Sequence, residues 1–336
     1  MKKERLFGMK IDFVVTWVDG SDKKWAEKRN EYSDKPVNPS RFRDWGFLKY
    51  WFRSIEKYAP WVNKIYFVTY GHLPDFLDIN HEKLVVVKHE DFIPKQYLPT
   101  FSSHPIEFNL HRIEGLSEYF VYFNDDMYLN NPVSPEDFFK NGLPRDTAVI
   151  NPVAPAFYGS IGNVMINNIS ILNNTFSKEK VIKSNPLKWF NYRYGVLNLL
   201  NLMFLPWGKF PGMYQPHLHS NFLKSEFENA WKDYEEILDA TCKNKFRNTF
   251  TDVNQWMIKQ YQILRGKFEP QSWKIGKYVM IKNSEDVDIA CKAINKGEYK
   301  VVCINDHCDD KVFNEVQPRL IDAFERKFSK KSKFEI

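Results

Sequence analysis

The chain has 336 residues, 43% hydrophobic, 27% charged and 16% aromatic, and its 48 Lys plus Arg against 42 Asp plus Glu leave a net charge of +6. That length exceeds the usual single core and calls for one large domain with an insertion, or for two lobes. The basic excess is mild and comes with no RNA-binding signature, zinc-finger spacing or basic helix-turn-helix, so nucleic acid is not an expected partner.

Residues 11–18 are β-branched and aromatic and predict a first strand, closed by the turn residues Asp19-Gly20-Ser21-Asp22. A short helix over 25–32 and a Pro-bearing loop over 35–40 follow. Trp45, Leu48, Trp51, Phe52 and Ile55 recur at helical spacing and predict a helix over 43–58. Strands are expected at 64–69, 84–87, 119–123 and 148–153, with a helix over 105–118. Strands alternating with helices argue for an α/β fold with a mostly parallel, doubly wound sheet.

Past Pro155 the pattern changes. Helices are expected over 160–172, 178–183, 220–238 and 252–264, and late strands over 277–281 and 300–304. The chain thus divides into the first half of an α/β core (8–155), a mainly helical insertion (156–240), completion of the core (241–315) and a basic C-terminal helix and tail (316–336). Residues 196–205 are apolar but reach only half of the ~20 residues a bilayer span needs. They are broken by Asn198 and Asn201 and flanked by Trp189, Tyr192, Tyr194, Trp207, Lys188, Arg193 and Lys209. A membrane-interface segment and a helix buried against the main sheet both fit, with the buried helix preferred. The basic ends, Lys2-Lys3 and Arg326-Lys327 with Lys330-Lys331 and Lys333, suit either anionic lipid or a solvated terminus.

Three acidic clusters sit at strand ends: Asp19-Gly20-Ser21-Asp22, Asn124-Asp125-Asp126 and Asn305-Asp306-His307. In open α/β sheets ligands bind beyond the carboxyl ends of strands, where carboxylates can hold a hard cation and the cation a diphosphate. Each cluster taken singly is equally a turn or a helix cap. Gln215-Pro216-His217-Leu218-His219-Ser220 is expected to open a helix, which would depress imidazole basicity. Arg247, ahead of a helix beginning near Asp252-Val253-Asn254-Gln255, is either an anion site or a surface residue. Cys242, Cys291, Cys303 and Cys308 form no CxxC pair and no signal-like apolar core follows Met1, which fits reduced thiols in a cytosol.

These clusters, in this order, resemble the Stealth family, whose bacterial members are capsular polysaccharide phosphotransferases. The segments that carry the resemblance are Ile11–Asp22; Arg41-Phe42-Arg43-Asp44 through Thr69, with Tyr122–Asp126; Pro216-His217 through Trp231, with Arg247 and Asp252–Gln255; and Cys303-Ile304-Asn305-Asp306. The resemblance implies a Rossmann-like or GT-A-like sheet and transfer of a hexose-1-phosphate or N-acetylhexosamine-1-phosphate from a UDP-sugar to a glycan hydroxyl. UMP would leave and a phosphodiester form. It implies Asp126, His217 and Arg247 as catalytic residues, and Trp17, Asp19, Gly20, Asp22, Arg43, Asn124 and Asn254 as substrate-binding. The resemblance puts Asp126 and Asn124 at the family's metal and catalytic positions, and the acidic strand ends add Asp125 or Asp306 beside Asp126 as ligands of Mg²⁺ or Mn²⁺. Whether His217 or Asp126 is the base stays open. Phe250 stands where animal members carry a histidine. Expected partners are the UDP-sugar and a glycan acceptor, free or lipid-linked, with the protein cytoplasmic or peripheral at the inner face of the membrane. The alternatives are a metal-dependent glycosyltransferase that releases UDP, and a non-catalytic carbohydrate-binding protein.

Overall fold

The computed structural model describes residues 8–33 and 42–336. Lys2-Lys3, the loop expected over 35–40 and Arg41 lie outside the described residues. The strands are β1 (Ile11–Thr16), β2 (Ile65–Thr69), β3 (Leu84–Lys88), β4 (Tyr119–Asn124), β5 (Met127–Leu129), β6 (Phe139–Lys140), β7 (Leu143–Asp146), β8 (Ser220–Leu223), β9 (Glu269–Pro270), β10 (Gly276–Ile281) and β11 (Val301–Asp306). The main sheet runs β3-β2-β1-β4-β8, with the first four parallel and β8 antiparallel to β4. A second sheet, β10-β11-β5, pairs β10 parallel and β5 antiparallel with β11. β6, β7 and β9 make a small third one. The chain winds outward from β1 to β3 and then returns to β4 on the other side of β1. The crevice beyond the ends of β1 and β4 is therefore the topological switch point.

The two-residue period of the strands assigns the core. Phe13 and Val15, Phe67, Val121 and Phe123 face the helix Leu48–Tyr58, the second sheet and the helices Ser284–Lys296 and Asp310–Lys327. Val14, Tyr66 and Val68, Phe120 and Tyr122 face the helices Ser103–Asn109, Ile161–Thr175, Lys224–Asp233 and Gln255–Leu264. Each face thus draws on distant stretches of chain. Asp12 is fully buried in β1 because its two oxygens accept from Asn63 Nδ2, Lys64 N and Ser117 N, which binds the loops at the far edge of the sheet.

Several expected elements differ. The helix expected from Ser220 begins as β8, where Phe222 pairs with Phe120. Helix starts only at Lys224, breaks at Tyr234 and resumes over Glu235–Lys243. Pairing with β4 overrides the helical spacing there. The strand expected over 148–153 is a single bridge, Ile150 to Met213. Asn201 takes the place of a partner strand, accepting from Ile150 N (2.7 Å) and donating to Ala148 O (3.0 Å). The helix expected over 105–118 stops after Asn109 and one 3₁₀ turn, with Gly115 at φ +76°. The segment 196–205 is not a helix buried on the sheet: Asn198–Met203 lies at the surface with Leu199, Leu202 and Met203 exposed. The C-terminal residues pack rather than fray. Phe334 is buried, and Glu335 receives both Arg53 Nε and Nη2 at 2.8 Å. The lysines 330, 331 and 333 point to solvent.

Candidate active site

β4 ends at Asn124 and β5 begins at Met127, so Asp125 and Asp126 form the whole link between the main and second sheets. The tip of β11 is clamped beside this link: Cys303 pairs with Met127, and Ile304 N donates to the Asp126 carbonyl (2.9 Å). The segment leading into β8 carries His217 to the same place, because β8 lies along β4. Three strand ends and one approach loop therefore converge on one carboxylate.

Asp126 Oδ2 accepts from Asn305 Nδ2 (2.8 Å) and lies 3.5 Å from His217 Nε2, which is also 3.5 Å from Asn124 Nδ2. Asp126 Oδ1 is buried and has no hydrogen-bond partner among the described residues. The edge-on rings of Tyr278 (5.6 Å) and Trp256 (6.0 Å) hold the imidazole, and Tyr278 OH donates to Asn305 Oδ1 (3.4 Å). Burial pushes the Asp126 carboxyl up, but the His217 charge and the donors from His217, Asn305 and Cys303 more than offset it, leaving it below its ordinary value. Burial pushes His217 down. The Asp126 carboxylate, with a smaller push from Glu107, outweighs burial and raises it, and Arg247's charge opposes. The expectation of depressed basicity at a helix start is thus corrected, since a strand follows His217 and an anion faces it.

Arg247 sits in the loop between the helices Glu235–Lys243 and Gln255–Leu264. Asp252 shapes that loop from within. Its Oδ2 accepts from Asn248 N (2.8 Å) and lies 3.1 Å from His104 Nδ1, and its Oδ1 accepts from Asn244 Nδ2 (2.7 Å). Arg247 Nη2 donates to Ser103 Oγ (3.2 Å), and its Nε is buried without a partner among the described residues. A cavity of about 450 Å³ runs along Asn244, Phe246, Arg247 and Phe250. Phe250 is about half exposed and packs on the exposed Tyr158 (4.7 Å).

The first acidic cluster is differently employed. Asp22 caps the helix Lys23–Asn30, accepting from Lys24 N (2.8 Å) and Trp25 N (3.2 Å). Asp19 N–H donates to His72 Nε2 (2.8 Å), which leaves Nδ1 to carry the proton that faces Asp22 Oδ2 (3.1 Å). Asp19 Oδ1 accepts from Ser21 N and Oγ. A Cβ on Gly20 would stand 2.3 Å from Phe42 O, so Gly20 permits a close approach of this chain's own backbone. Trp17 packs on Phe67 and His72. Asn254 is buried as the cap of Gln255–Leu264 and exchanges hydrogen bonds with Asn168, so its expected substrate contact is corrected to a structural one.

Asp306 also differs from expectation. Its Oδ2 accepts from Trp45 Nε1 (3.1 Å) and faces Arg43 (3.5 Å), and its Oδ1 accepts from Cys308 N (3.0 Å). Arg43 is held there, bonded also to Asp310 (2.9 Å). Both Asp306 oxygens are therefore already engaged by the protein. The atoms of ligand type that do cluster, within 4.8 Å, belong to Asp126, His217 and Cys303. Burial and the Asp126 charge raise the Cys303 thiol well above its ordinary value. Mg²⁺ is typically held by one or two carboxylates plus phosphate oxygens and water. The unpartnered Asp126 Oδ1 fits that pattern, with the exposed Asp125 beside it. Burial and the Asp126 charge push the Asp125 carboxyl up, but its exposure weakens both effects.

Asn305, Tyr278, Trp256, Glu107 and Asp252 were not expected in this constellation. Asn305 had a signal in the third strand-end cluster and Asp252 in the helix start after Arg247; the others arrive through tertiary contacts.

Residues 9–36 match the family model described as Stealth protein CR1, conserved region 1, and residues 41–146 that of Stealth protein CR2, conserved region 2. The chain is 46% identical to a capsular polysaccharide phosphotransferase WcwK of Streptococcus pneumoniae, over 97% of this chain and 98% of that protein. It is 42% identical to the exopolysaccharide phosphotransferase cps2G of Lactiplantibacillus plantarum (97% and 96% covered). It is 40% identical to the receptor polysaccharide phosphotransferase WefC of Streptococcus oralis (97% and 99%).

Proposed function

Since the chain belongs to the Stealth family, we propose that it is a polysaccharide phosphotransferase that passes a sugar-1-phosphate from a UDP-sugar to a hydroxyl of a growing glycan. The observation that carries this reading is the Asp126–His217 pair at the junction of the two sheets, with Arg247's charge within reach of His217. Phosphoryl transfer needs alignment, charge neutralisation and one proton acceptor, and this constellation offers all three.

The acceptor oxygen bonds to the phosphorus that carries the sugar. The bridging P–O bond breaks and UMP leaves with its electron pair. The bond from the sugar's anomeric carbon to oxygen stays intact, so the donor's configuration is kept. Asp126 Oδ2 faces His217 Nε2, orients the ring and stabilises the imidazolium that forms when Nδ1, the other ring nitrogen, takes the acceptor's proton. Asn124 and Asn305 fix the two partners from either side. Arg247, whose Nε is unpartnered in its loop, binds the transferring phosphoryl with its planar fork. Asp126 Oδ1 and Asp125 would hold Mg²⁺ or Mn²⁺, which neutralises charge on the diphosphate when bound.

The test is to supply UDP-sugars with a capsular or exopolysaccharide fragment and identify the nucleotide released. UMP supports the reading, UDP would make the chain a glycosyltransferase, and an untouched donor would leave only carbohydrate binding. Chelation should abolish UMP release and added Mg²⁺ should restore it.

A further inference from the structure

The helix Asn198–Met203 is inside out. Its amide residue Asn201 is buried at 1% exposure, bonded to Ile150 N, Ala148 O and Trp189 O, while Leu199, Leu202 and Met203 on the opposite side are more than half exposed. The i, i+3, i+4 spacing of these three puts them on one face. Around them, Leu187, Tyr192, Val196 and Trp207 are also more than half exposed. Soluble surfaces rarely keep an apolar patch of this kind without a partner.

The patch is held firmly. Lys178 is buried and donates to the carbonyls of Phe204, Leu205 and Trp207, which ties down the chain as it leaves the helix. Tyr194 is fully buried and donates to Lys188 O (2.7 Å). The apolar side chains are therefore presented by a rigid frame.

Charge identifies the occupant. From residue 180 to residue 225 the chain has no Asp or Glu, yet it carries Lys180, Lys183, Lys188, Arg193, Lys209 and Lys224. Lys180 and Lys209 are exposed, and so is Lys183, which pairs with the exposed Glu179 just ahead of this stretch. A second copy of the chain would set cation against cation. An anionic lipid surface satisfies both halves of the patch, the leucines entering the acyl boundary while the cations meet the headgroups. Tyr192 and Trp207 have the amphipathic rings that settle at that depth. No helix among the described residues is long and apolar enough to cross a membrane, so attachment would be from one side.

We propose that the surface formed by residues 187–209 docks the protein on an anionic bilayer. This goes beyond the phosphotransfer reading, and its test needs neither donor nor acceptor, so the two can fail separately. Purified full-length protein is floated with vesicles of phosphatidylglycerol and phosphatidylcholine, and with phosphatidylcholine alone. Binding to the anionic vesicles should be at least about tenfold tighter, and high salt should weaken it. The double change Leu199→Glu with Leu202→Glu should reduce anionic-vesicle binding at least about tenfold at an unchanged melting temperature. Trp207→Glu, on a separate segment, should reduce it as well, which guards against misfolding of the first variant. Absence of wild-type flotation, or unchanged binding in both variants, would overturn the proposal. So would a sedimenting dimer that the double change dissociates, which would give the face to a second copy.

Discussion

Asp22 and Asp126 each follow a buried parallel strand in adjacent positions of one sheet, and the sequence around each is acidic and turn-forming. Their fates differ in what the protein itself asks of the carboxylate. Asp22 is occupied by two amide protons of its own helix and by His72, whereas Asp126 keeps Oδ1 buried and unclaimed. Asp306 goes the way of Asp22, taken up by Trp45, Cys308 and Arg43. A strand-end carboxylate becomes available for chemistry when the fold leaves it hydrogen-bonding capacity, and composition does not report that.

The sharpest way to break this contrast is to neutralise both members. His217→Ala and Asp126→Asn should each lower turnover by about 10²–10⁴-fold in a UMP-release assay, with melting temperature nearly preserved. Asp22→Asn should stay within about threefold of wild type. Comparable losses in the two sets would erase the distinction. Arg247→Lys keeps the charge but loses the fork, and about 10–100-fold is expected in kcat/KM, on the scale of a charge-assisted hydrogen bond.

A finer contrast lies within one segment. His217 is raised by its anion, while His219, two residues on and packed between Phe123 and Phe138, is pushed down to about 3 by burial. His111 is likewise pushed down to about 3, also by burial. Between about pH 3 and 6.5 the unfolded chain binds protons at these positions that the folded chain refuses, so stability falls as pH falls through 6.5. The denaturation midpoint should drop between pH 7 and pH 5, and His219→Gln should flatten the slope. A flat wild-type profile would count against the burial argument. The smallest effect belongs to the helix cap: Asp22→Ala should cost about 1 kcal/mol in chemical denaturation, with little change in turnover.

The parallel core was legible because β1, β2 and β4 are nearly continuous apolar runs, the mark of a sheet covered on both faces. Asp126, His217 and Arg247 stood out as candidates, but the meeting of Asp126 with His217 was not legible. β8 hid inside a helical spacing, and β5 is three residues long. Both exist only because a neighbouring strand pairs with them. The helix Ser284–Lys296 was not among the expected elements, although Asn283 and Asp286 cap each other at its start and Gly297, φ +62°, ends it. The outward leucines of Asn198–Met203 were illegible because the burial of Asn201 depends on a carbonyl and an amide some fifty residues away.

Only two residues separate the last position of β4 from the first of β5. Three peptide units reach at most about 11 Å, so the link has almost no slack. Any sliding of one sheet against the other must drag the Asp126 side chain along, and its separation from His217, which rides on the main sheet's side, must change in step. The separation of the Asp126 and His217 side chains is thereby tied to the alignment of the two sheets.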